Sequence, residues 1–177
     1  MTAPDTIIVR ADDHTGRKSR GTLRFGNRVY NCALGREGLH TEKVEGDGVS
    51  PIGTYPLRTV LYRPDRISAI ETGLSTAPIR QDSGWCDDPT KPDYNKPITF
   101  PFDGNAEHLW RNDNLYDVIV VLGHNDDPVV AGAGSAIFMH VAGSDYPPTE
   151  GCVALAISDL LEVLSQCSNL TTITLKA

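Results

Sequence analysis

The sequence predicts a mainly β, single-domain protein with one main helix near its C-terminus. Short apolar runs rich in Val, Ile, Thr and aromatic residues recur between clusters of Gly, Pro, Asn and Asp. Apolar residues follow helical spacing in one segment alone. No repeat or shift of composition divides the 177 residues, a length that suits one domain, 1–177, with its own core.

The elements follow in order. TIIVRA (6–11) reads as the first strand. GTLRF (21–25) and RVYNCAL (28–34) flank Gly26 and Asn27, a two-residue hairpin signal because glycine accepts the positive φ such turns require. GTYPLRTVLYR (53–63) is a longer strand and YDVIVVLGH (116–124) a buried one. In SAIFMHV (135–141) a period of two puts Ile137 and Met139 on one face, Phe138 and His140 on the other. SDLLEVLSQC (158–167) predicts the helix: Ser158 and Asp159 are placed to cap free N–H groups, and Leu160, Leu161, Leu164 and Cys167 form a core-facing stripe. TTITLK (171–176) closes the chain as a strand. Two regions, 64–108 and 125–134, read as long and irregular. The first carries Trp85, Cys86 and Tyr94, with Trp110 just beyond, which is too aromatic for a linker.

Composition excludes some functions. A net charge of −7 argues against a nucleic-acid partner, which calls for a basic face. No apolar run approaches the ~20 residues that span a bilayer, so no membrane partner is expected. MTAPDTIIVRADDH (1–14) lacks the basic stretch and apolar core of a secretory signal. The expected location is therefore the cytoplasm, unless an export signal has been removed. Cys32, Cys86, Cys152 and Cys167 form no C-x-x-C pair and are expected as free thiols, Cys32 and Cys167 within the core. Oligomeric state cannot be read from the sequence.

The stretch that carries chemistry is HVAGSDYPPTEGC (140–152). A thiol attacks as thiolate, and a nearby imidazole is the usual means of lowering its pKa. Gly143, Pro147 and Pro148 supply bends that could return Cys152 to His140. Gly151 leaves the backbone open to a substrate carbonyl, so the N–H groups of Gly151 and Cys152 are candidates for an oxyanion site. The alternative is a buried cysteine and a strand-end histidine that never meet.

FMHVAGSDYPPTEGCVAL resembles the signature of the L,D-transpeptidase (YkuD-type) catalytic domain: a histidine, a loop, Ser or Thr, a variable residue, Gly, Cys and an apolar residue. On this resemblance the catalytic histidine falls on His140, the Ser/Thr on Thr149, the glycine on Gly151 and the nucleophile on Cys152. GDGVSPIGTYPL (46–57), SGWCDDP (83–89) and GAGSAIFMH (132–140) are similar to further segments of the family, so the likeness runs over roughly residues 20–165. The sequence departs from the pattern in a shorter His-to-Cys loop, in Glu150 where His or Lys is common, and in Ala154 where Arg or Asn usually stands. Anchoring of a substrate carboxylate must then come from elsewhere, with Lys43, Arg36 and Arg111 as candidates. Trp85, Tyr94, Asn95 and Trp110 are candidates for the cleft wall.

The resemblance implies an L,D-transpeptidase-like β-sandwich or open barrel acting on peptidoglycan stem tetrapeptides or muropeptides. Cys152 would attack the carbonyl joining the third-position diamino acid to the D-alanine at position four. That D-alanine would leave with a proton from His140, whose other ring nitrogen is expected on a main-chain carbonyl or on Asp145. The thioester then meets water, as in an L,D-carboxypeptidase recycling muropeptides, or an amine, as in a transpeptidase. No cofactor and no metal are expected. The rivals are a wall-binding module without chemistry and a zinc hydrolase built from His124, Asp126 and Asp127 with His140 and Cys152. Cys86 is the second candidate thiol, and His14, His40 and His108 read as solvated.

Overall fold

The computed structural model describes residues 6–12 and 16–177, and His14 lies outside them. In chain order the elements are β1 (Thr6–Ala11), β2 (Arg20–Phe25), β3 (Arg28–Ala33), β4 (Leu39–His40), β5 (Ser50–Pro51), β6 (Gly53–Tyr62) and β7 (Ser75–Pro78). They continue with β8 (Ser83–Cys86), β9 (Pro97–Thr99), β10 (Ala106–His108), β11 (Val118–Leu122), β12 (Phe138–Val141), β13 (Val153–Leu155), α1 (Ile157–Leu164) and β14 (Thr172–Lys176). The expected strands are present. The region 64–108 is less irregular than the sequence suggested, since it holds β7 and a small antiparallel sheet of β10, β8 and β9.

The main sheet runs β11-β12-β13-β3-β2-β1-β14-β6-β7, and β11 also pairs with β6. That extra pairing returns the sheet on itself, so the barrel is the realised form of the sandwich-or-barrel expectation. Closure removes edges that would otherwise offer unpaired N–H and C=O groups. The β2–β3 hairpin turns at Gly26, whose φ is 60°. Barrel strands alternate between two apolar environments. Val118, Val120 and Leu122 of β11 join the main core, whereas Ile119 and Val121 join a second cluster with Trp85, Tyr116, Phe138 and Cys152. A strand buried on both faces reads as the continuous apolar run VIVVL rather than as an alternation.

The helix covers the main core with Leu160, Val163 and Leu164, while Leu161 packs partly buried against it. It starts one residue before the expected cap. Ala156 is the N-cap and no side chain caps the turn, so Ser158 lies inside the helix. Cys167 follows the last turn, buried, with its Sγ donating to the Val163 carbonyl. Among the described residues no helix is long and apolar enough to cross a membrane.

The loop after His140 is a crossover between two parallel strands. β12 and β13 pair in parallel, with Met139 opposite Val153 and His140 opposite Ala154. Parallel neighbours must be joined by a connection that runs back along the sheet, and residues 142–152 make that return without a helix. Cys152 is thereby delivered beside Phe138.

Candidate active site

Period two and the parallel register set the geometry. Met139 and Val153 point into the main core, so Phe138, His140, Cys152 and Ala154 share the opposite face. Cys152, immediately before β13, and His140, on the neighbouring β12, are offset by two residues, and both line one cavity of about 480 Å³. They are nearly sealed, at 7 % and 6 % exposure, so the cavity is their access to solvent.

Cys152 is held from two sides. The Phe138 N–H donates to Sγ at 3.4 Å, and Sγ donates to the Ala136 carbonyl at 3.3 Å. His140 Nδ1 lies 2.8 Å from the Val141 carbonyl. A carbonyl only accepts, so Nδ1 carries the proton and Nε2 is left as the basic nitrogen. The orienting partner is therefore the Val141 main-chain carbonyl and not Asp145.

The sequence reading expected a thiolate beside an imidazole. Burial works against both charges. It pushes the Cys152 thiol up to about 12, helped by the Glu107 carboxylate. It lowers His140 to about 4, opposed by the main-chain carbonyls of Val141 and Leu115. The resting pair is a neutral thiol and a neutral imidazole.

The loop preceding the cysteine is fixed by short polar contacts. Ser50, fully buried, accepts the Gly35 N–H at 2.9 Å and donates to the Gly151 carbonyl at 2.8 Å. Thr149 Oγ1 donates to the Cys152 carbonyl at 2.7 Å and accepts the Gly151 N–H at 3.2 Å. The Gly151 N–H, expected to face an oxyanion, is thus engaged within the loop. Thr149 also lines the cavity, but its hydroxyl proton is committed to the chain.

Lys43 and Arg111 line the cavity as expected. Lys43 is paired with Asp47 and donates to the Val44 carbonyl at 3.0 Å. Arg111 makes a two-pronged bridge to Asp113, at 2.9 and 2.6 Å, and lies 5.1 Å over the Tyr116 ring. Arg36 is tied at the rim to Glu150. Trp85 and Asn95 are buried behind the cavity and do not line it. Trp85 packs edge-on against Phe138, at 5.1 Å, and donates its Nε1–H to Asn95 Oδ1 at 3.0 Å. Tyr94 and Trp110 are likewise off the wall, Tyr94 bonded to Glu45 and Trp110 beneath the Arg63 guanidinium at 3.7 Å.

The sequence reading missed the acidic lining. Glu45, Asp87 and Glu107 come from three separate segments. Burial raises Asp87 and Glu107 above the usual carboxylate range, and Asp87 Oδ1 is enclosed without a hydrogen-bond partner. Tyr116 donates to Glu107 at 2.5 Å and meets the His140 ring edge-on, centroids 5.2 Å apart. Burial drives the Tyr116 phenol well above its ordinary value.

Other candidates stay apart from this cavity. His124 bonds the Ala133 carbonyl through Nε2 at 3.1 Å and Asp126 pairs with Arg58, so the zinc set is not assembled. Among the described residues no three His, Cys, Asp or Glu side chains converge in a way that could hold a metal. Cys86 is fully buried in the small sheet. His108 is exposed and stacks on Phe100 at 3.8 Å, while exposed His40 bonds the Glu37 carbonyl.

Comparison with known proteins gives three findings. A family model described as the L,D-transpeptidase catalytic domain matches residues 4–175. No curated protein matches the chain. Among solved structures, L,D-transpeptidase 1 of Mycobacterium tuberculosis is similar at 12 % identity and a TM-score of 0.41, over 97 % of this chain and 62 % of that one. This chain therefore spans about 62 % of that structure's length.

Proposed function

Because the chain belongs to the L,D-transpeptidase catalytic domain family, we propose that it cleaves peptidoglycan stem tetrapeptides through a thioester on Cys152. The observation that carries this reading is the placement of His140 on β12 and Cys152 at the entry to the adjacent β13, both at the wall of one cavity. As sulfur bonds to the carbonyl carbon between the diamino acid and the terminal D-alanine, the thiol proton passes to His140 Nε2. The carbon–nitrogen bond then breaks and D-alanine leaves with that proton. Water or an amine attacks the thioester, gives its proton to His140, and the proton returns to sulfur as the product departs. Neutral resting partners suit this sequence, because each half-reaction starts and ends neutral and the buried charges, an imidazolium facing an oxyanion, form only in passing.

Water as acceptor makes the protein an L,D-carboxypeptidase, and we propose this as its main outcome, in the cytoplasm on recycled muropeptides. Fractionation of cells carrying the untagged protein tests the compartment. Incubation with a tetrapeptide, with and without a D-amino acid, tests the acceptor by mass spectrometry. Tripeptide is expected in both, and exchange product without tripeptide overturns the hydrolytic outcome. A carbapenem should add once to Cys152. Label on Cys86 instead, or none with peptide binding retained, sinks the thioester reading.

A further inference from the structure

We propose that Asn95 is a positioning residue for the Cys152 sulfur and acts through the Ala136 peptide. The inference rests on Cys152 being the nucleophile.

Every hydrogen-bonding valence of the Asn95 amide is engaged. Oδ1 accepts from Trp85 Nε1 and from the Ala136 N–H, each at 3.0 Å. Nδ2 donates to the carbonyls of His124 at 3.0 Å and Asn125 at 2.8 Å. The two donors facing Oδ1 cannot accept and the two carbonyls facing Nδ2 cannot donate, so the amide has one orientation. The side chain, 7 % exposed, thus joins the small sheet, the end of the strand before His124 and the approach to His140.

What it holds is a strained backbone. Asn95 itself has a φ of 56° and Ala136 a φ of 51°, both in the left-handed region that side chains disfavour. Ala136 keeps that conformation with its N–H on Asn95, while the next carbonyl, that of Ile137, accepts the Leu122 N–H at 3.2 Å. Between these two anchors the Ala136 carbonyl can only point at Cys152 Sγ, 3.3 Å away. That contact selects the sulfur's rotamer and favours its protonated form. Releasing Ala136 would free the sulfur to rotate away from its working position.

The test compares Asn95→Gly, which tolerates the positive φ, with Asn95→Asp, which keeps the shape. Val9→Ala, in the main core away from the cavity, serves as the control for lost stability. Each is measured by thermal melting, by the pH dependence of Cys152 alkylation with iodoacetamide, and by the rate of carbapenem acylation. Asn95→Gly is expected to lower the alkylation midpoint by about one pH unit, the effect of losing a hydrogen bond to the protonated form. It should slow acylation roughly tenfold or more, since a displacement of about 1 Å at a reacting group can cost on the order of a hundredfold. Val9→Ala should lower the melting temperature and leave the midpoint in place. Asn95→Asp should be slow at pH 8, where a carboxylate faces two carbonyls, and recover towards pH 5 as it protonates and donates again. Wild-type midpoint and acylation rate in folded Asn95→Gly overturn the proposal. If that variant does not fold, an Asn95→Asp rate that keeps a constant ratio to wild type from pH 5 to pH 8 overturns it. Failure of the wild type to acylate at Cys152 sinks the nucleophile reading instead, and the alkylation midpoint, which needs no substrate, still decides the Asn95 role.

Discussion

The Nδ1 of His140 lies 2.8 Å from the carbonyl oxygen of Val141, the next residue in the same strand. The contact fixes the tautomer from within the sheet and leaves the other nitrogen for chemistry. It is also the main attraction that opposes the burial of this ring.

The pH dependence of acylation follows from that burial. His140 is held down to about 4 and Cys152 pushed up to about 12, so neither changes charge between those values. The second-order rate of Cys152 acylation should therefore be flat from about pH 5 to pH 9 and fall only as His140 takes up a proton near pH 4. Stopped-flow acylation across that range checks it. A bell centred near neutrality would mean that the working pair is a thiolate and an imidazolium.

The same group makes folding sensitive to acid. An unfolded histidine titrates near 6.5, whereas folded His140 titrates near 4, so between these values the unfolded chain binds more protons. Stability contributed by the neutral ring is fully present above about 6.5 and is lost as pH falls towards 4. The separation corresponds to about 3 kcal/mol at most. Urea unfolding at pH 7.5 and pH 4.5 should show this slope in the wild type. His140→Gln should flatten it, since the amide does not titrate.

How much of this was legible depends on how local each feature is. His140 and Cys152 lie at the ends of one strand crossover, so their placement on one cavity follows from a single stretch. Glu45, Asp87 and Glu107 come together only through the packing of three separated segments, and no spacing announces that. The strands of the small sheet were missed because they are three or four residues long and include Pro97 and Gly84, which weaken a strand pattern. Ser158 looked like a cap by residue type. The chain leaves β13 at Leu155 and enters the helix directly, so an alanine takes that position. Trp85 and Asn95 were expected on the cleft wall for their polar and aromatic character, yet they support it from behind.

Tyr116→Phe keeps the ring edge against His140 and deletes the hydroxyl on Glu107. Glu107 is already raised by burial, and the Tyr116 bond is the largest effect holding it down. Without it the carboxyl should titrate higher still. At pH 8 the variant leaves a poorly paired, half-buried carboxylate, a loss of about 1–2 kcal/mol. As pH falls the carboxyl protonates and the penalty shrinks. Melting curves from pH 8 to pH 5 should converge on those of the wild type, and a pH-independent gap would assign the loss to packing.

Gly151→Ala separates a collision from backbone strain. Gly151 has a φ of 136°, and a Cβ there would lie 2.7 Å from the Val49 carbonyl oxygen. Gly132 also has a positive φ, 81°, but a Cβ there meets nothing within 4 Å. Both substitutions strain the backbone, by about 1–2 kcal/mol. Only the first must push the chain, against Val49 and directly beside Cys152, the proposed nucleophile. Gly132→Ala should lose a few degrees of melting temperature and keep its rate of Cys152 acylation. Gly151→Ala should lose stability as well and slow acylation roughly tenfold or more, because a shift of about 1 Å at a reacting group is costly. Equal acylation rates in the two variants would mean that the Gly35–Ser50–Gly151 contacts yield to the added methyl, and that the cysteine keeps its place without them.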